Sequence, residues 1–167
     1  MKAIELIARQ FTMNTKWFKN VLDGINDQEG LTRINGYVNH LRWIAGHLTT
    51  SRYRNMMRIG LPAEEFPYLD VYMQSGSAPA YRPVDESISY PRLPDLLHYW
   101  DIYSTSLSDA ILLIPDEKLN SELPFTTPIG GKTVLESLGF VVGHEAYHIG
   151  QMSLIRKSLG HSSMVYM

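Results

Sequence analysis

In the stretch His144-Glu145-Ala146-Tyr147-His148, two imidazoles stand four residues apart. On a helix this spacing places the second ring about 40° round from the first, one turn further along the same face. Two neutral imidazoles so placed can hold one borderline divalent cation through ring nitrogens. The plainer alternative is a pair of half-buried helix histidines hydrogen-bonded to their neighbours. Gln151 lies three residues after His148 and seven after His144, so it points to the same side. There it can orient a ligand or a bound water, or it is simply a surface amide.

Glu145 completes the H-E-x-x-H pattern of zinc peptidases, in which the glutamate is the general base. The rest of that pattern is missing. No Asp or Glu follows His148, and Gln151 and Ser153-Leu154 stand where the extended motif needs a glycine and a third histidine. Glu145 also lies about 100° off the shared histidine face. An interhelical ion pair, or support of a ligand from behind, suits it better than base catalysis.

A usable metal site needs a third ligand. His47 sits in Trp43-Ile44-Ala45-Gly46-His47-Leu48, among apolar and small residues, and is expected to face the interior. His40 is seven residues earlier, about 10 Å along the axis on nearly the same stripe. It could replace His47, support the site, or be a partly exposed helix histidine, since Asn39 and Arg42 beside it look solvent-directed. His98 reads as structural and His161 as an exposed residue of the tail.

Four helical segments must position these groups. Apolar residues recur at three- and four-residue steps over 3–22, 34–59, 93–114 and 133–159. Asp23-Gly24 ends the first segment, and Asn35 is a fair cap for the second. Pro94 and Pro115 bracket the third. Thr133 and Glu136 have capping-box spacing at the start of the fourth, which Gly160 closes. Gly139, Gly143 and Gly150 within it suggest a closely approaching helix or ligand. Residues 60–92 form a long connection rich in Pro, Tyr and Ser, with a short helix expected over 68–73. Residues 115–132 read as an extended piece and a turn. The aromatics around the second helix are expected mainly in the core.

The chain has 167 residues, a formal net charge of −2 and no cysteine. That length suits a single domain over 1–167. Without cysteine there is no disulfide, thiolate ligand or thiol nucleophile, which fits a reducing cytosol. No basic stripe suggests nucleic acid. Glu5 and Arg9 interrupt any signal-peptide core, and no apolar run is long enough to span a bilayer. A cytoplasmic all-α protein built as a four-helix bundle is expected.

The run His144-x-x-x-His148-x-Gly150-Gln151, followed by Leu154-Ile155-Arg156-x-x-Leu159-Gly160, resembles the DinB/YfiT-like superfamily. Asn39-His40-Leu41-x-Trp43-Ile44-Ala45-Gly46-His47-Leu48 is similar to that family's second helix. The resemblance implies an up-down-down-up bundle and a divalent metal, often zinc or nickel, on His47, His144 and His148. It implies a homodimer, and a transferase or isomerase that uses a low-molecular-weight thiol. The long connection after the second helix departs from the family pattern, so no specific substrate carries over. The leading expectation is a thiol-dependent transferase acting on a small electrophile. The alternatives are a hydrolase using metal-bound water, with Gln151 or Glu145 assisting, and a non-enzymatic, stress-associated binding bundle.

Overall fold

The protein is described from a computed structural model that covers residues 1–74 and 81–166. Helix α1 (Ala3–Leu22) buries Ile4, Ile7, Ala8, Phe11, Phe18, Val21 and Leu22 along one stripe. It starts where the Glu5 carboxylate accepts the Lys2 backbone N–H, and it stops before Gly24 at φ 73°.

Helix α2 runs Leu41–Arg58, seven residues shorter at its start than the periodicity predicts. Asn35 does not cap it. Asn35 and Gly36 both have left-handed φ, 54° and 70°, which reverses the chain and forbids a continuous helix. The cap is His40, whose Nδ1 accepts the Trp43 backbone N–H at 3.0 Å. Nearly every side chain from Leu41 to Arg52 is buried.

The short helix α3 (Leu69–Tyr72) lies on α2. Its Tyr72 ring rests on Gly46, where an added Cβ would come within 1.8 Å of the ring, and its hydroxyl donates to the Arg42 carbonyl at 3.1 Å. Only a residue without Cβ permits this approach. Met73 and Tyr81 then pair as an isolated antiparallel bridge.

Helix α4 (Leu93–Leu112) has Pro94 in its first turn and ends two residues before the expected Ile114. A one-turn α5 (Asp116–Leu119) follows. The expected turn forms with Gly130 at φ 82°, and Glu122 bridges Thr133. Helix α6 (Val134–Ser158) carries the capping box: Thr133 Oγ1 accepts the Glu136 N–H, and Glu136 accepts the Thr133 N–H at 2.9 Å.

In the bundle, α1 and α2 each pack against both α4 and α6, which places α1 diagonally opposite α2. Contacts along the helices set their directions. Ile7 lies below Gly139, Asn14 reaches Val142, and Arg156 reaches Val21, so α1 and α6 are parallel. Lys19 pairs with Asp101 while Lys2 reaches Asp116 beyond the end of α4, so α1 and α4 are antiparallel. His47 meets His144, Arg52 meets Glu145 and Asn55 meets Ser137, so α2 opposes α6. The order is up-down-down-up. Parallel α2 and α4 require a connection that travels back along the bundle, which accounts for the length of residues 59–92. Among the described residues no helix is long and apolar enough to cross a membrane.

Candidate metal centre

His47 of α2 meets His144 and His148 of α6 near mid-bundle. The Nε2 atoms of His47 and His144 are 3.0 Å apart, and one ring nitrogen from each of the three histidines lies within 4.8 Å of the others. The ring centroids form a tight triangle of 5.0, 4.8 and 4.6 Å. Trp43 stacks on the His47 ring at 4.9 Å, and Tyr81 meets its edge at 4.1 Å. Desolvation, with the neighbouring His148 and His144, lowers the His47 pKa to about 2. Desolvation and His148 lower that of His144 to about 4. His148 is also lowered by burial, against the opposing pull of Gln151. All three rings are therefore neutral near pH 7, each with a lone pair to give.

Gln151 sits beside His148 as its spacing predicts. Its Oε1 lies 2.7 Å from His148 Nδ1, and its amide donates to the Tyr147 hydroxyl at 3.0 Å. With Oε1 accepting, Nδ1 carries the proton and Nε2 keeps the lone pair. The Nδ1 atoms of His47 and His144 differ: both are buried with no hydrogen-bond partner among the described residues.

Glu145 faces away from the histidines. Arg52 grips its carboxylate with two hydrogen bonds of 2.9 and 2.7 Å, and Asn14 donates a third at 3.1 Å. Both charged side chains are fully buried. Thr15 of α1 and Ser104 of α4 accept from the remaining guanidinium nitrogen, and the Trp100 ring lies 3.6 Å from the guanidinium carbon. An acid held this way by contacts from all four long helices has no free oxygen for a substrate, so it cannot serve as a peptidase base.

His40 lies outside the triangle. Its ring caps α2 and packs edge-on against Tyr90 at 4.8 Å. Its neighbour Arg42 is buried, not solvent-directed, and donates to the carbonyls of Tyr90 and Pro91. His98 is exposed, and His161 is half-buried with its Nε2 3.0 Å from Glu29. Of the glycines of α6 only Gly139 faces a packed helix, and that loosely. An added Cβ at Gly143 or Gly150 would touch nothing within 4 Å, and one at Gly139 only Ile7 at 3.9 Å.

A cavity of ≈ 350 Å³ opens beside His47 and His144. Tyr81, Phe125 and Phe140 give it aromatic walls, while Ser51, Asn55, Arg54 and Arg58 supply polar groups. A larger depression of ≈ 690 Å³ near Lys16, Lys19 and Leu97 has no histidine and a single carboxylate, Asp23, in its lining.

The profile of the DinB superfamily matches residues 10–152. The chain belongs to the DinB superfamily. Two solved structures share its fold. A DinB-like protein from Bacillus cereus ATCC 10987 is 17% identical, with 95% of this chain and 94% of that one covered and a TM-score of 0.70. A conserved protein from Enterococcus faecalis is 12% identical, with 94% and 96% covered and a TM-score of 0.68. At such identities the likeness speaks for the fold alone. No curated protein matches the sequence.

The donor set of this DinB-superfamily chain fits a borderline divalent cation: three neutral imidazoles, no competing carboxylate, and one ring oriented by an amide. Reading the sequence missed Arg52 as the partner of Glu145, and missed the cavity residues Ser51, Arg54, Asn55 and Arg58. The signal was present as spacing, because these four lie four, seven, eight and eleven residues after His47 and share its helical stripe.

Proposed function

We propose that this protein is a divalent-metal-dependent enzyme of thiol-transfer type, with zinc or nickel held by His47, His144 and His148. The observation that carries the reading is the convergence of three neutral rings, one nitrogen of each within 4.8 Å of the others, beside a cavity that His47 and His144 line. A divalent cation held by these three rings would supply Lewis acidity, which lowers the pKa of a bound thiol.

The chain's own residues hold and orient. Gln151 fixes the His148 tautomer, Trp43 and Tyr81 brace the His47 ring, and the aromatic walls exclude water from the reacting sulfur. The nucleophile comes from a cosubstrate, because the chain has no cysteine. The thiol reading is favoured over hydrolysis because, among the described residues, no free carboxylate lines the cavity to activate a water. Glu145 is locked to Arg52, and Gln151 is spent on His148 and Tyr147. A homodimer in the cytoplasm is part of the proposal.

The test is metal content followed by turnover. Wild type is expected to bind one Zn²⁺ or Ni²⁺ per chain, and the His144→Ala/His148→Ala variant none. A chloronitrobenzene electrophile should then be consumed only when both metal and an added thiol are present. Consumption without thiol would favour the hydrolase. Absence of metal binding by folded wild type would leave a binding bundle.

A further inference from the structure

The C-terminal half of α2 presents a feature that the metal centre does not use. Arg54 and Arg58 line the same cavity as His47 and His144. They stand about 10 and 16 Å from His47 along the helix axis, and side chains on a helix lean toward its N-terminus, here back toward the histidines. Each guanidinium lies near an aromatic wall: Arg54 is 5.6 Å from the Tyr81 ring and Arg58 is 4.7 Å from that of Phe125. Tyr81 also contacts His47, so one ring joins the arginine end to the histidine end.

Neither arginine has a carboxylate partner among the described residues. No Asp or Glu lines the cavity, and residues 75–80, just before Tyr81, contain none. Arg54 is half-buried and Arg58 exposed at the cavity mouth, where partial desolvation and then the like charge of Arg54 lower the Arg58 pKa. The C-terminal dipole of α2 favours a cation at Arg58. It does not explain two unneutralised guanidiniums beside one cavity in a chain of net charge −2. Planar guanidinium forks suit carboxylate or phosphate, and they bind most strongly where water is partly excluded.

We propose that Arg54 and Arg58 form an anion-binding subsite, and that the substrate is an elongated small molecule with an acidic group at one end and its metal-seeking atom at the other. The orientation rests on the proposed metal centre; the anion subsite itself does not. Polar Ser51 lies between the two ends on the same stripe, Asn55 lies between the two arginines, and Phe125 and Tyr81 flank an apolar linker.

Two measurements test the two parts separately. In metal-free protein, glutarate is expected to raise the melting temperature and 1,5-pentanediol is not. The rise should vanish in Arg54→Gln/Arg58→Gln and return in part in Arg54→Lys/Arg58→Lys, with an unchanged urea midpoint in buffer alone confirming that the variants fold. No rise in wild type, or the same rise in the Gln variant, overturns the subsite. In Co²⁺-loaded protein, the thiolate charge-transfer band should report 6-mercaptohexanoate binding about tenfold tighter than 6-mercaptohexanol. That preference should fall to about one in the Gln variant. Equal binding of the two thiols by wild type overturns the elongated acidic ligand. If Co²⁺ does not bind while the glutarate effect holds, the metal centre falls and the anion subsite stands.

Discussion

Two buried polar clusters join α2 to α6, less than two helical turns apart, and they are built on opposite terms. Around Arg52 and Glu145 every charge is matched: both carboxylate oxygens are bonded, and Asn14, Thr15, Ser104 and the Trp100 ring complete the set. Around His47, His144 and His148 three neutral ring nitrogens face one another with no charge to match, the Nδ1 atoms of His47 and His144 have no partner among the described residues, and a cavity adjoins the rings of His47 and His144. The first cluster has spent the bonding capacity of both its charges on the fold, and only the Asn14 Oδ1 is left without a partner among the described residues. The second gathers neutral donors beside open space, as expected of a place where a ligand binds.

Breaking the satisfied cluster should have the largest effect. Glu145→Ala strands a buried guanidinium, and urea unfolding should show a loss of about 3–5 kcal/mol. His47→Phe should leave metal-free stability within about 1.5 kcal/mol of wild type, since it is close in volume and removes a partnerless atom. It should abolish the stabilisation by metal, about 2.7 kcal/mol at a metal concentration 100 times Kd, read as the shift in unfolding midpoint on adding Zn²⁺. If the two substitutions cost the same without metal, the contrast between the clusters is false.

Acid sharpens the same comparison. The histidine rings take up protons near 6.5 in the unfolded chain, but only at about 4 for His144 and about 2 for His47 in the fold. Their neutral state thus favours the fold fully above pH 6.5. Stability is lost as pH falls below that value, with a slope approaching about 1.4 kcal/mol per pH unit for each ring. Urea midpoints between pH 7.5 and 4.5 should fall in wild type and fall less steeply in His47→Phe. The smallest effect is expected at Gln151. Gln151→Ala frees the His148 ring and should weaken metal binding by about 10- to 100-fold in a competition titration, with little change in metal-free stability.

The sequence carried much of this in local form. Thr133 and Glu136 announced the start of α6, and the i, i+4 histidines announced one side of the site. His47 was readable because an imidazole among Ile44, Ala45 and Leu48 has no other reason to be buried. What local patterns could not show depends on contacts across the bundle. Arg52 looks like any helix arginine until Glu145 is brought against it from 93 residues away. The start of α2 was misplaced because a left-handed Asn35-Gly36 pair ends the helical register, while an imidazole cap at His40 does not look like a Ser, Thr or Asp cap. The α6 glycines promised a packed neighbour, yet only Gly139 lies against one, Ile7 of α1, while Gly143 and Gly150 face open space among the described residues.

Gly46 transmits more than its size suggests. Tyr72 sits on its bare backbone, Met73 follows Tyr72, and Met73 pairs with Tyr81, whose ring stands between His47 and Arg54. A single methyl at position 46 would lift this train of side chains together. The geometry of the cavity mouth is thereby keyed to a hydrogen atom one residue from the first histidine, and variation in the overlying loop is free only as long as it respects that seat.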